Sequence, residues 1–249
     1  MAFALDHIVI AVNDLARAVA DYRLLGFTVY PGGVHHGGVS HNALVVFADG
    51  AYFELIAYHR PDPGNPWWTL LAEAGEGFVD FALAPDDTQA GIAAARARGL
   101  SLTEPAAGGR VRPDGVRLDW QIVRPETRDL PFWCGDVTAR DLRVPLGEHR
   151  KHANRAEGIA VVRVDVADIA ASAGRYRALL GDDAVTRSGE DIRIAIGTSI
   201  IELVGPDHGA EQGRLQTRGE GVSSIDLHGG VAADLDIGRS HRAVLRIRP

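Results

Sequence analysis

Hydrophobic and polar positions change rhythm in a fixed order along this chain. Leu5 to Val12 is a short run rich in Val and Ile, bounded by Asn13-Asp14, and predicts a buried strand. From Leu15 to Leu25 the apolar positions fall three and four apart, at Leu15, Val19, Tyr22 and Leu25, which predicts a helix. Asp14 suits its N-cap, where a carboxylate accepts orphan backbone N–H groups, and Gly26 suits the position just past its end. A glycine-rich stretch, Pro31 to His41, follows Phe27 to Tyr30. Two further apolar runs, Asn42 to Ala48 and Ala51 to Tyr58, flank Asp49-Gly50, a favoured hairpin turn. The unit reads β-α-β-β-β.

The order recurs. Phe78 to Ala84 predicts a strand, Asp86 to Arg98 a helix, and Leu100 to Thr103, Val116 to Val123 and Leu130 to Gly135 three more strands. A third unit opens at Ile159 to Val166, continues with a helix over Ile169 to Leu180, and closes with Thr198 to Val204. A fourth begins at Val222 to Leu227, with too little chain left for a helix and three strands. The first and third units also match residue by residue. Asp14-Leu15 answers Asp168-Ile169, Tyr22 answers Tyr176, Leu24-Leu25-Gly26 answers Leu179-Leu180-Gly181, and Glu54 answers Glu202. Gly75-Glu76-Gly77 likewise answers Gly219-Glu220-Gly221. The chain is therefore a repeat of paired units, with residues 137–157, charged and poor in apolar residues, as the linker between 1–136 and 158–249.

Composition narrows the function classes. The 249 residues are 46% hydrophobic and 24% charged, with a net charge of −7, which argues against the basic footprint of a nucleic-acid binder. Cys134 is the one cysteine, so no intrachain disulfide forms, and the N-terminus lacks the pattern of a signal peptide. No run reaches the roughly 18 to 20 apolar residues of a membrane span. The expectation is a cytoplasmic protein without nucleic-acid or membrane partners. It acts on a small-molecule substrate or ligand, and a homodimer is open.

Leu5-Asp6-His7-Ile8-Val9-Ile10-Ala11-Val12, Asp14-Leu15 and Leu25-Gly26-Phe27 resemble the opening of vicinal-oxygen-chelate (VOC) proteins, the glyoxalase, bleomycin-resistance and dioxygenase superfamily. Gly32-Gly33, His35, His41-Asn42, Phe53-Glu54-Leu55-Ile56 and Leu130-Pro131-Phe132 carry the resemblance further, toward its glyoxalase-like group. The resemblance implies an α+β fold of βαβββ units forming two glyoxalase-like curled-sheet halves, here with the second truncated. It also implies a divalent metal (Zn, Mn, Fe(II) or Ni), held from the first and last strands of the units. His7 and Glu54 stand at two such positions and Asp80 at a third. The fourth falls near Trp133 to Asp136, where Cys134-Gly135 replaces the usual glutamate. In 158–249 the counterparts of His7 and Asp80 are Val161 and Ser224, so activity is expected in 1–136, with a degenerate second half.

Two functions follow. One is a metal-dependent lyase, isomerase or dioxygenase, with His7, Glu54 and Asp80 on the metal and Glu54 as general base. Its substrate would be bound by His35, His41, Trp120 and Trp133. The other is a metal-free binding protein of the bleomycin-resistance type. The tryptophans, including Trp67 and Trp68, either wall a pocket or fill a core. His149 and His152 read as solvated linker. Arg110, Arg112 and Arg117 bind a carboxylate or phosphate, or form a solvated strand edge.

Overall fold

The structure is a computed structural model that describes residues 2–189, 191–206 and 213–249. The first unit is β1 (Phe3–Ala11), α1 (Leu15–Leu24), β2 (Tyr30–His35), β3 (Ser40–Val46) and β4 (Tyr52–Tyr58). After α2 (Pro66–Ala74) come β5 (Gly77–Pro85), α3 (Thr88–Ala97), β6 (Ala106–Val111), β7 (Arg117–Val123) and β8 (Phe132–Asp136). A short α4 (Arg140–Arg143) leads to the third unit: β9 (Ala156–Asp165), α5 (Ile169–Leu180), β10 (Val185–Ser188), β11 (Asp191–Ile196) and β12 (Ser199–Val204). The last is α6 (Arg214–Arg218), β13 (Gly221–Gly229), β14 (Ala233–Asp234) and β15 (Val244–Arg248).

The three long repeat helices start in the same way. Asp14, Asp87 and Asp168 each accept the backbone N–H three residues on, from Arg17, Ala90 and Ala171. Each satisfies a donor that the first helical turn leaves unpaired. Elements that the hydrophobic pattern did not give include α2, β6 and β2, the last lying in the glycine-rich stretch at Tyr30–His35. α2 is capped by Asn65 with Pro66 at its start. β6 lies at Ala106–Val111 rather than at Leu100 to Thr103, where Leu102 forms only an isolated bridge to Pro125. The run Ala-Ala-Gly-Gly hides this strand because a neighbour fills its empty positions: a Cβ on Gly108 would run into the Trp120 indole.

The first two units close into an eight-stranded barrel, ordered β1-β4-β3-β2-β6-β7-β8-β5. The last two form an open seven-stranded sheet, β10-β11-β12-β9-β13-β15-β14. The architecture is α+β with two curled sheets, and the truncated fourth unit leaves the second one open. Side chains alternate across β1, so Ile8 and Ile10 join a continuous core that also contains Val162, Val164, Ile201 and Ile225 of the second sheet. Val9 and Ala11 face the other way, into the barrel, with Ile56, Trp120 and Phe132. Among the described residues no helix is long and apolar enough to cross a membrane.

The segment 137–157 packs onto the barrel. Val144 is buried with Leu44, Val46 and Tyr52. His152, expected in solvent, is buried, and its Nδ1 accepts the Thr28 N–H at 3.0 Å. Arg143 is buried too. The charges of this segment are spent on the barrel, and composition does not show it.

Candidate functional site

The barrel encloses a cavity of about 600 Å³. Glu54, near the middle of β4, stands on its wall, opposite Val9 and Leu44 in the two flanking ladders. A buried carboxylate needs partners, and Glu54 has three. Asn42 Nδ2 donates to its Oε1 at 2.5 Å, His35 Nε2 lies 3.3 Å from Oε1, and His7 Nε2 lies 3.4 Å from Oε2. Burial pushes the Glu54 carboxyl up, but His35, His7 and Asn42 together outweigh it and bring it down to about 2. Gly32 makes this arrangement possible, since a Cβ there would collide with the Asn42 side chain.

His7 is clamped on every side. Its ring stacks on Tyr52 with centroids 4.7 Å apart, and Phe132 meets it edge-on at 5.3 Å. Nδ1 lies 2.6 Å from Asp6 Oδ2. Neighbours on a strand normally point to opposite faces. Here the β1:β5 ladder shifts register between Leu5 and His7, and this bulge lets Asp6 reach the adjacent ring. Asp6 is held in turn by Arg143, with Nη1 at 2.9 Å from Oδ2 and Nη2 at 3.0 Å from Oδ1, and by Arg140 Nη1 at 2.5 Å. Burial raises the Asp6 carboxyl, but Arg143, His7 and Arg140 hold it well below the usual carboxylate range. An ionised Asp6 accepts the Nδ1 proton, which leaves Nε2 as the atom turned toward Glu54 and the cavity. Arg143 also donates to Tyr52 Oη at 2.7 Å and to Asp136.

The residues expected from sequence divide into two groups. His7, Glu54, His35 and Trp120 come together on the cavity wall, with the Trp120 ring edge-on to His35 at 6.2 Å. Asp80, His41 and Trp133 do not. Asp80 sits across from Val9, and the β5 residue opposite His7 is Ala82. The Asp80 oxygens are taken by Trp67 Nε1 at 2.8 Å, Arg124 Nη1 at 2.9 Å and the Phe81 N–H at 2.9 Å. His41 stacks on His59 at 4.0 Å, away from the cavity lining. Trp133 is fully buried behind the barrel wall against Phe3, because alternation along β8 turns Phe132 and Cys134 inward instead. Sequence reasoning missed Asp6, Asn42 and Arg143. An acid beside a histidine in an apolar strand was the available signal for Asp6.

The set expected from sequence, His7, Glu54 and Asp80, does not converge on one point, because Trp67 and Arg124 engage Asp80. The second unit contributes Ala82, Phe132 and Cys134 to the cup, and burial pushes the Cys134 thiol up. Among the described residues, no group of three or more His, Cys, Asp or Glu side chains is gathered so as to hold a metal ion.

Sequence and shape place the chain among known proteins. The glyoxalase-like domain family matches residues 5–180. No curated protein sequence matches the chain. Among solved structures, a hypothetical protein from Staphylococcus aureus is similar over 99% of both chains, at 15% identity and a TM-score of 0.77. A mutant 4-hydroxymandelate synthase from Streptomyces coelicolor is similar over 95% of this chain and 73% of its own, at 16% identity and a TM-score of 0.59. A xylose isomerase-like TIM barrel/4-hydroxyphenylpyruvate dioxygenase fusion protein is similar over 95% of this chain and 37% of its own, at 16% identity and a TM-score of 0.54. At these identities the likeness is one of fold. The family match spans well over half of the sequence, and the protein therefore belongs to the glyoxalase-like domain family.

Proposed function

We propose that the protein is an enzyme of lyase or isomerase type that moves a proton on a small, oxygen-rich molecule bound in the barrel cavity. One observation carries this reading: a buried, ionised carboxylate, Glu54, in contact with two imidazoles on the wall of an otherwise enclosed cup. Glu54 is the proton acceptor. Its donors hold it low while the cup is open. A substrate oxygen that takes over the Asn42 or His35 donor leaves burial as the dominant influence, and burial raises its proton affinity. His7 Nε2 takes the proton over from Glu54 Oε2 and returns it to the substrate, while Asp6 accepts from Nδ1 and keeps the ring aimed.

No step is routed through a metal, because Asp80 is engaged elsewhere and the second unit brings no ligand. The activity is assigned to residues 1–143, a little beyond the repeat boundary, since Arg143 supports Asp6. Residues 158–249 act as a structural half. A second reading, metal-free sequestration of a ligand, is favoured by the apolar walls of Trp67, Trp120 and Phe132.

The test is solvent exchange. The protein, before and after dialysis against a chelator, is incubated in D₂O with a panel of small 2-oxo and 2-hydroxy compounds, and deuterium incorporation at carbon is followed by NMR. Exchange that survives chelation is expected. Exchange that depends on added Zn²⁺, Mn²⁺, Fe²⁺ or Ni²⁺ would overturn the metal-free scheme. Ligands that quench tryptophan fluorescence without exchanging would establish sequestration instead.

A further inference from the structure

Three arginines reach the cavity wall, and their charges are treated differently. Arg143 is matched by Asp6 and Asp136. Arg124 is matched by Asp80, and its guanidinium lies over the Trp67 and Phe132 rings. Arg110 is 1% exposed and, among the described residues, has no carboxylate within ion-pair distance. It stands opposite His35 in the β2:β6 ladder and opposite Leu118 in the β6:β7 ladder. Its Nη2 donates to the Arg143 carbonyl at 2.8 Å, and its Nε has no partner among the described residues. A guanidinium keeps its proton even when buried, so a cation here calls for an anion or for donors fully satisfied by neutral groups. Among the described residues no carboxylate pairs with it and its Nε stays unpartnered, and Arg110 lines the cavity.

We propose that Arg110 anchors a carboxylate of the substrate, so that the cavity takes a small carboxylic acid rather than a neutral molecule. This rests on the reading of the cavity as a substrate site. It adds the substrate class, and it gives Arg110 a binding role across the cup from the proton-transfer pair. A singly charged, planar carboxylate fits better than a phosphate dianion. One donor of Arg110 is already committed to the Arg143 carbonyl, and the ionised Glu54 repels additional negative charge.

The probes are pyruvate, its neutral methyl ester and inorganic phosphate, titrated at constant ionic strength while Trp67 and Trp120 fluorescence is followed. Unmodified protein should bind pyruvate at least tenfold more tightly than the ester, and more tightly than phosphate. Arg110→Gln should abolish the preference for acid over ester, and Arg110→Lys should restore part of it, with circular dichroism and thermal melting checking that each variant folds. Equal affinities for acid and ester in unmodified protein would overturn the proposal without reliance on any variant. So would tighter binding of phosphate, or a preference retained in Arg110→Gln. Glu54→Gln separates the two readings, because it should end proton exchange while keeping the preference for the acid.

Discussion

Glu54 and Glu202 occupy the same place in the repeat and have opposite surroundings. Each lies on the last strand of its unit, parallel to the first strand, with Val9 opposite Glu54 and Arg163 opposite Glu202. In the barrel, β2 pairs with β6 and the second unit closes the sheet around Glu54, so that imidazoles and an amide are its partners. In the second half, the sheet stays open and Glu202 pairs with Arg163 Nε at 3.3 Å and Arg193 Nη2 at 3.2 Å, while Arg163 also holds Asp226. These two guanidinium groups neutralise Glu202, whose side chain is only 13% exposed. A carboxylate on a closed wall with no arginine against it remains available to a ligand. Closure of the sheet, more than the presence of the acid, separates a site from a salt bridge.

The largest expected effect breaks that equivalence directly. Glu54→Gln keeps the shape of the side chain but removes the proton acceptor, and proton transfer should fall by about 10²- to 10⁴-fold. Glu202→Gln should leave the exchange rate within about twofold, because surface substitutions remote from the chemistry are usually mild. Parallel rate measurements on the two variants check this. Equal losses would mean that the second half takes part in the chemistry.

The next effect concerns stability. Arg143 is buried and joined to Asp6, Asp136 and Tyr52, so Arg143→Met strands a buried carboxylate and should cost about 3 to 5 kcal/mol. Arg163 is its counterpart as an ion-pair hub, but its side chain is 27% exposed and water can replace much of what it gives. Arg163→Met should cost less, about 2 kcal/mol, because Glu202 keeps Arg193 and Asp226 keeps Arg246. Urea unfolding of both variants reads the difference, and similar costs would show that the network behind His7 is not the stronger one.

These two hubs also show what sequence patterns can and cannot carry. His7 and Glu54 were legible because each interrupts an apolar strand, and interruption is a local signal. Arg143 was not, because its partner Asp6 is 137 positions away and a charged segment looks the same whether solvated or folded back. Asp80 lies off the cavity wall for a related reason. Its strand and repeat position were visible, but the Trp67 and Arg124 donors that claim it come from α2 and from just beyond β7. Trp133 fell on the wrong face because an aromatic pair, Phe132-Trp133, does not declare which member points inward. The helices did better, since a capping aspartate and a spacing of three and four are short-range devices. The curled sheets were implied by the family resemblance, whereas closure of the first into a barrel and the place of Asp80 depended on register.

The smallest effect is acid sensitivity on the barrel side. The Glu54 carboxyl lies near 2 in the folded protein, against 4.5 for an unperturbed glutamate, with burial opposed by His35, His7 and Asn42. A folded value below the unfolded one means that the ionised form favours folding. The contribution is therefore complete above about pH 4.5 and is lost as pH falls toward 2. At about 1.4 kcal/mol per unit, it amounts to roughly 3 kcal/mol. Asp6, also depressed, adds loss in the same direction below its own unperturbed value of 3.8. Urea midpoints taken from pH 6 down to pH 2.5 should fall more steeply for unmodified protein than for Glu54→Gln, and the two should converge as Glu54 takes up its proton. Parallel curves would mean that the two imidazoles and the amide do not hold Glu54 ionised, and the carboxylate on the barrel wall would then differ from Glu202 in its neighbours but not in its charge.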